Sequence, residues 1–232
     1  MLPLDSGPRL VDVGDVPGDA TDADGNSRRI TAAVAALLGR GVVPVCIGGD
    51  DSVPIPILRA FDGGGPLTIL QVDAHLDFRD EVDGVREGYS SPMRRASEMP
   101  HVERIVQVGL RGVGSARPAD VADAVARGNL LVTARDLRER GVASVFGELA
   151  AVERIFLSFD CDGLDPSVMP AVSAPSPGGL TYAEASDLVR GIGPRLVGAV
   201  FTEFVPALDR EELAALVVAR LIVTLLSAAP AR

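Results

Sequence analysis

The sequence has few cysteines and no cluster of basic residues, and both absences narrow its class. Its 232 residues include two cysteines, Cys46 and Cys161, each within an apolar, strand-like run. This number disfavours a disulfide-stapled secreted domain and predicts buried free thiols in a reducing compartment. With a formal net charge of −10 and no run of arginines, we expect no nucleic-acid partner.

Signals for export and for membrane insertion are also missing. The first residues, MLPLDSGPRL, contain no apolar core of a signal peptide and no early basic cluster. The apolar stretch 213–229 is interrupted by Arg220 and is short for a membrane span, so we predict a terminal helix docked on the core. The chain is therefore expected to be cytoplasmic, with no membrane partner.

What is present is a regular alternation of apolar runs and amphipathic segments. The composition is 47% hydrophobic and 23% charged, as in globular proteins, and no repeat or composition shift divides residues 1–232, which are predicted to form one domain. Continuous Val/Ile/Leu runs predict buried strands of a parallel sheet. The strands are predicted at residues 9–13, 42–47, 67–72, 104–110, 130–133, 154–159 and 196–201.

Helices are predicted between these strands, which places the chain in the α/β class. We expect a three-layer α/β/α sandwich around a mostly parallel sheet. Ser27 is predicted to cap a helix at 28–40, and Thr181 and Glu184 have the spacing of a capping box. Further helices are predicted at 119–127, at 134–152 with a break near Gly141, and at 210–228. In such sheets, ligands bind beyond the carboxyl ends of the strands.

Acidic residues and one histidine follow two of these strands at alternate positions. Asp73, His75 and Asp77 have the spacing i, i+2, i+4, which lets extended residues point to the same side. Asp160 and Asp162 repeat this spacing after a second strand. Carboxylates with a single imidazole favour Mn²⁺, and then Mg²⁺, over zinc. Because two such ions can provide a hydroxide at neutral pH, the motifs predict a binuclear hydrolase site.

A third motif, Gly48-Gly49-Asp50-Asp51-Ser52, also follows an apolar run. No lysine follows the two glycines, as a phosphate-binding P-loop would require. We therefore predict that the glycines let the backbone approach the metal site, with Asp51 close to it.

Together these motifs resemble the signatures of the ureohydrolases, the family of arginase, agmatinase and the guanidino-acid hydrolases. They are GGDDS at 48–52, DAHLD at 73–77 and SFDCDGLDP at 158–166, followed by PAVSAPSPGGL at 170–180 and EFVP at 203–206. The similarity runs from Val11 to the C-terminus and is greatest to the agmatinase-like branch. It implies an arginase-like fold, two Mn²⁺ ions and a homo-oligomer, either a trimer or a hexamer.

The resemblance also implies a ligand set for the two ions. Asp73 and Asp160 would bridge the two ions. His75 and Asp162 would complete the ligand set of one ion, and Asp77 and Asp51 that of the other.

The implied reaction is hydrolysis of a small cationic guanidino substrate, agmatine first, to urea and an amine. Glu203 would bind the guanidinium group, and Asp77 would orient a hydroxide that bridges the metals. A terminal amine on the substrate would suit Asp83 and Glu87, which lie in an acidic stretch after the DAHLD motif.

Two positions depart from the family pattern. Asp51 replaces a histidine ligand; a carboxylate can still bind Mn²⁺ but makes the site one charge unit more negative. Tyr89 stands where the family usually has a histidine that passes a proton to the leaving amine, and a phenol is a poorer shuttle near neutral pH. The resemblance further leads us to expect a chain that is short at its N-terminus and lacks one strand of the family's sheet.

Three alternatives stay open at this stage. Arg79 and Arg86 allow a guanidino acid instead of agmatine. The departures at Asp51 and Tyr89 allow a metal-binding pseudoenzyme or structural homologue without turnover. The third alternative is hydrolysis of a formimidoyl group.

Overall fold

The computed structural model describes residues 8–229 and has a parallel sheet at its centre. Within these residues the sheet has six strands: β1 (Val45–Ile47), β2 (Leu67–Val72), β3 (Val102–Leu110), β4 (Leu130–Thr133), β5 (Ile155–Asp160) and β6 (Leu196–Thr202). Their spatial order is β1-β6-β5-β2-β3-β4, and every neighbouring pair is parallel.

Helices cover both faces of the sheet. They are α1 (Ala23–Leu38), α2 (Pro54–Arg59), α3 (Pro92–Ala96), α4 (Pro118–Ala126), α5 (Ala134–Arg140), α6 (Val142–Glu148), α7 (Tyr182–Ile192) and α8 (Leu213–Ala228). Because side chains alternate along a strand, β2 contributes to two core clusters. Leu67 and Ile69 pack with residues of α1 to α4, whereas Leu70 and Val72 pack with residues of α5 to α8. The predicted three-layer sandwich is confirmed.

Several local predictions are confirmed by the side-chain contacts. Thr181 accepts a hydrogen bond from the Glu184 backbone, and the Glu184 side chain accepts one from Thr181, so the capping box begins α7. Gly141, with φ of 75°, separates α5 from α6. Helix α8 buries its apolar side against the core, as predicted for the last helix. Cys46 and Cys161 are free thiols as predicted, but only Cys161 is buried, whereas Cys46 is half-buried.

Other local predictions are wrong. Residues 9–13 form no strand; Leu10 and Val11 are 53% and 64% exposed, because an apolar run needs a neighbouring strand to enter a sheet. Helix α1 begins at Ala23 rather than near Ser27, since the Asp22 side chain accepts a hydrogen bond from Gly25 N and caps the helix.

Strand β1 and helix α8 are shorter than predicted. Strand β1 begins at Val45, directly after Pro44, which has no N–H to donate to a ladder. Helix α8 begins at Leu213 because Glu211 and Glu212 adopt left-handed φ angles of 60° and 58°. The short helices α2 and α3, both beginning with proline, were not predicted. Within residues 8–229, no helix is long and apolar enough to cross a membrane.

Candidate metal centre

The candidate metal centre lies where four neighbouring strands of the sheet end. In the order β1, β6, β5 and β2, these strands lead into the GGDDS motif, Glu203, and the motifs that begin at Asp160 and Asp73. Residues from all four strand ends line a cavity of about 520 Å³. The Asp51 backbone and the Glu203 side chain, 152 residues apart in the chain, are hydrogen-bonded here. The sheet order therefore assembles motifs that are distant in sequence.

One group of three possible ligands contains Asp73, His75 and Asp162, whose ligand atoms lie within 4.8 Å of one another. His75 Nδ1 is 3.0 Å from Asp162 Oδ2 and 3.5 Å from Asp73 Oδ1. The backbone N–H of Ala74 donates to Asp162 Oδ1 (3.1 Å), and that of His75 donates to Asp73 Oδ1 (2.6 Å). The backbone of the DAHLD motif thus orients both carboxylates.

A second group contains four carboxylates with ligand atoms within the same 4.8 Å limit: Asp51, Asp73, Asp77 and Asp160. Asp73 belongs to both groups, which the bridging role predicted for it requires. Thr202 Oγ1 donates to Asp51 Oδ1 (2.6 Å), whereas Asp51 Oδ2 has no hydrogen-bond partner among residues 8–229. The structure therefore brings all six predicted ligands into two overlapping groups; the bridging role of Asp160 stays a prediction.

The backbone around the site is tightly packed and locally strained. Asp77 and Glu203 have left-handed φ angles of 46° and 61°, a region that costs a non-glycine residue free energy and that is common at functional sites. Gly163 lies against the end of β2, where an added Cβ would be 2.8 Å from the Asp73 backbone nitrogen. Only glycine allows the β5 loop to come this close to the β2 loop.

The charges at the site fit hard divalent cations. Burial first, and repulsion from Asp73 second, raise the pKa of the Asp51, Asp77 and Asp160 carboxyl groups. Buried carboxylates of like charge favour proton uptake unless a cation balances them. Because the donor set is oxygen-rich and Asp51 Oδ2 has no partner among the described residues, these side chains fit two divalent ions of the Mn²⁺ or Mg²⁺ type.

The imidazole ring of His75 lies next to two carboxylates, those of Asp162 and Asp73. Hydrogen bonds from its ring to Asp162, and then to Asp73, raise the pKa of the imidazole to about 10. An imidazole must be neutral at the nitrogen that binds a metal, so metal binding at this group displaces a proton.

Glu203 stands beside the ligand groups on the cavity wall. Its Oε1 accepts a hydrogen bond from Asp51 N (2.9 Å), and its own backbone N–H donates to Gly49 O (2.8 Å). Burial is the main cause that raises the pKa of Glu203. The carboxylate is half-buried and reaches the cavity, as the guanidinium-binding role predicted for it requires.

Of the other predicted site residues, Tyr89 lies at the cavity, whereas Asp83 and Glu87 do not line it. Tyr89 is 63% exposed and lines the cavity, so it is not an internal packing residue. Asp83 and Glu87 are not among the described residues that line the cavity. Glu87 instead forms an ion pair with Arg59, and Asp83 lies in an exposed turn with φ of 51°. Their predicted contact with the substrate tail gains no support from this placement.

Several residues at the cavity or in contact with the ligand groups were not predicted from the sequence. Thr202, which is buried and donates a hydrogen bond to Asp51, directly follows the predicted strand 196–201 and belongs to no motif. Arg117 and Asp120, at the start of α4, reach the same cavity wall as Arg79. Neither stands in a motif that follows a strand directly, so no local pattern could have assigned them to the site.

The comparisons with known proteins agree with this geometry. A family model described as the arginase family matches residues 4–227. Guanidinopropionase from Pseudomonas aeruginosa is 35% identical, over 94% of this chain and 70% of its own length. Mitochondrial guanidino acid hydrolase from Homo sapiens is 31% identical, over 95% and 64%. The crystal structure of formimidoylglutamase from Bacillus subtilis superimposes with a TM-score of 0.86 at 28% identity, over 94% and 71%.

The chain belongs to the arginase family, because the family model covers nearly all of it. It spans 64% of the length of the human relative and 67% of the length of mitochondrial agmatinase from Gallus gallus. The relatives carry the names of several different enzymes, among them guanidinobutyrase and arginase. Family membership alone therefore leaves the substrate open.

Proposed function

We propose that this chain hydrolyses a guanidino compound to urea and an amine at a pair of divalent metal ions, Mn²⁺ being the first candidate. The observation that supports this most directly is the pair of ligand groups that share Asp73 beside a cavity. An isolated acidic cluster would not explain a further carboxylate outside the two groups, that of Glu203, at the cavity wall. The single imidazole among five carboxylates favours Mn²⁺ over zinc.

Each side chain then has a chemical task. Two bound ions would supply a hydroxide at neutral pH, which attack on an unreactive guanidinium carbon requires. Glu203 offers a carboxylate to the guanidinium N–H groups and holds the planar group in place. An Asp77 carboxylate oxygen would accept a hydrogen bond from this hydroxide and orient it. Tyr89, at the exposed side of the cavity, has a phenol O–H that can donate to the leaving amine.

The cavity wall favours a substrate with a carboxylate tail. Arg79 and Arg117 both line the cavity. Arg79 Nε lies 3.7 Å from Asp120 Oδ2, so part of its charge is balanced within the protein. Arg117 makes no ion pair among residues 8–229, and its guanidinium can bind a substrate carboxylate. A guanidino acid is therefore the substrate class that the geometry supports best.

Agmatine is the second candidate substrate. Its terminal amine would need an acceptor, and Asp50 and Asp120 line the same cavity. Asp50 is exposed and accepts a hydrogen bond from the Ser52 hydroxyl, while the Asp120 carboxylate faces the Arg79 guanidinium. Asp120 Oδ2 accepts no hydrogen bond among residues 8–229, but the Arg79 guanidinium balances part of its charge, which makes this tail the less favoured of the two.

The test is urea release by the Mn²⁺-loaded protein on a panel of guanidino compounds. The panel contains 4-guanidinobutyrate, 3-guanidinopropionate, agmatine and arginine, with formamide release from formimidoylglutamate as a separate assay. Turnover of a guanidino acid, abolished in Asp160→Asn, is the expected result. Preference for agmatine would contradict the carboxylate tail but not the reaction. Full metal occupancy without turnover of any compound would identify a pseudoenzyme and overturn the proposed reaction.

A further inference from the structure

Three buried amide side chains form a hydrogen-bonded row that ends on Asp73. They come from neighbouring strands: Gln71 lies in β2, its register partner Gln107 lies in β3, and Asn129 directly precedes β4. Asn129 Nδ2 donates to Gln107 Oε1 (2.9 Å), and Gln107 Nε2 donates to Gln71 Oε1 (2.6 Å). Gln71 Nε2 then donates to Asp73 Oδ2 (2.6 Å). The amide row thus connects three strands to the metal centre.

The direction of this row does not depend on Asp73. Gln107 Nε2 donates a second hydrogen bond to the carbonyl oxygen of Leu76 (2.7 Å), which can only accept. The amide nitrogen of Gln107 must therefore face β2, and its oxygen must face Asn129. Gln71 in turn has to present its oxygen to Gln107 and its NH₂ group to Asp73. The sheet itself fixes a donor against the carboxylate.

The location of the row within the core makes it costly to keep. Gln71 lies on the same face of β2 as Leu67 and Ile69, next to the cluster that packs with α1 to α4. Burying an amide in apolar surroundings is unfavourable unless its groups are hydrogen-bonded, and an apolar side chain would serve simple packing better. The arrangement therefore calls for a reason other than stability, and Asp73 provides one.

Both oxygens of Asp73 are held by fixed donors. Oδ1 accepts from the His75 backbone (2.6 Å), and Oδ2 accepts from Gln71. Asp73 is also the carboxylate that both ligand groups contain. In addition, the bond from Gln107 to Leu76 anchors the backbone between His75 and Asp77. The amide row thus acts on the shared ligand and on the backbone of the motif that bears it.

We propose that Gln71 is a positioning residue of the metal centre and that Gln107 and Asn129 hold it in its orientation. This inference rests on the proposed function, because it assigns Gln71 its role through metal ligand Asp73. Groups that orient a metal ligand in this way typically contribute about 10–100-fold to metal affinity. A side chain that merely fills the sheet would contribute to folding and leave metal affinity unchanged.

The experiment measures Mn²⁺ affinity by calorimetric titration of the full chain after its metals have been removed with a chelator. Gln71→Met keeps the side-chain volume and removes the donor to Asp73. The matched control is Thr68→Val, a buried polar residue at the other end of the same strand. We expect Mn²⁺ affinity to fall about 10–100-fold in Gln71→Met and to stay unchanged in Thr68→Val. Unchanged affinity in a folded Gln71→Met protein would overturn the inference.

A second variant, Gln107→Met, tests whether the residues act as a row. Because Gln107 acts through Gln71, the affinity loss in the double variant is expected to be smaller than the two single losses multiplied together. Multiplicative losses would overturn the row. If circular dichroism shows that Gln71→Met does not fold, the inference is tested with Gln107→Met alone. Unchanged Mn²⁺ affinity in that variant overturns the inference. Absence of Mn²⁺ binding in the wild-type chain would instead overturn the proposed metal centre itself.

Discussion

Asp51 stands where the resemblance to the family implies a histidine ligand, and its surroundings suit an aspartate in the candidate metal centre. Its Oδ1 accepts a hydrogen bond from the Thr202 hydroxyl, which leaves Oδ2, without a hydrogen-bond partner among residues 8–229, available as a ligand atom. A hydroxyl donor from a neighbouring strand suits a carboxylate acceptor. The surroundings of Asp51 therefore match the aspartate, and the departure from the family pattern is compatible with a working site.

A substitution of Asp51 tests this interpretation. We expect Asp51→His to lower Mn²⁺ occupancy below two ions per chain and to reduce urea release at least about tenfold, because imidazole at this position loses the Thr202 anchor and one ligand charge. Metal analysis after gel filtration and the urea assay measure both effects. Tyr89→His is the companion variant, since its exposed phenol belongs to neither ligand group and two ions should remain bound. A gain of activity in Asp51→His would show that the aspartate is a defect.

Arg117 is the residue on which the proposed carboxylate tail depends. We expect Arg117→Met to lower kcat/KM for a guanidino acid by about tenfold, the loss of one hydrogen bond to a charged group, through KM rather than kcat. The value for agmatine should not fall. Arg135→Met, at an exposed arginine of α5 that pairs with Glu139, is the control for charge. Equal losses of kcat/KM for the guanidino acid and for agmatine would show that Arg117 does not recognise the carboxylate tail.

Among the structural elements, the loops that follow β2 and β5 decide the geometry of the site. The backbone N–H of Asp162 donates to Asp160 Oδ1 (2.7 Å), so the turn after β5 orients the carboxylate of Asp160, the first predicted ligand of this loop. The loop after β2 does the same for Asp73 through His75 N. Because the two strands are neighbours, these self-supporting turns face each other, with Gly163 at their contact.

Gly163→Ala should therefore separate the two loops. The new Cβ would lie 2.8 Å from the Asp73 backbone nitrogen and 2.9 Å from Val72 Cγ1, closer than carbon contacts allow. We expect a loss of about 1–3 kcal/mol in the free energy of unfolding of the metal-free protein and weaker Mn²⁺ binding. Gly147→Ala, in α6 and away from the metal centre, is the control, because a Cβ there meets nothing within 4 Å. Denaturant titrations and Mn²⁺ titrations of both variants measure the difference.

For the molecule as a whole, the buried acidic residues of the candidate metal centre make the free energy of unfolding depend on pH and on bound metal. The folded protein has raised pKa values at the buried carboxyl groups of Asp51, Asp77 and Asp160, and at His75, where the value is about 10. A group whose pKa is raised by folding binds more protons in the folded state. The free energy of unfolding of the metal-free protein therefore falls as the pH rises.

We expect the Tm of the metal-free protein to fall between pH 6.5, the ordinary value for histidine, and pH 9. The loss should be at least about 2–4 °C, the change in Tm that about 1 kcal/mol produces in a chain of this size. Carboxylates outside this group, such as Asp165, whose pKa is lowered to about 2, are ionised throughout this window and add no slope. Calorimetry with and without Mn²⁺ measures the effect. Because metal displaces these protons, the Tm gain from Mn²⁺ should grow with pH; a constant gain would contradict the linkage.

The sequence by itself determined the class of the fold and the residues of the candidate metal centre. Continuous apolar runs and capping residues are local signals, and they correctly predicted most strands, the α7 capping box and the break at Gly141. The site motifs also follow strands directly, so the rule that ligands bind at strand ends located them without coordinates. The predicted homo-oligomer and cytoplasmic location stay predictions.

Only the tertiary structure decided which distant residues meet. The strand order places Glu203 beside Asp51 and brings Arg117 to the cavity, whereas Asp83 and Glu87 lie away from it. The same order aligns the amide row across three strands, and it leaves residues 9–13 outside the sheet. Local patterns depend on neighbours in the chain, but these contacts depend on how strands pair, which no single segment encodes.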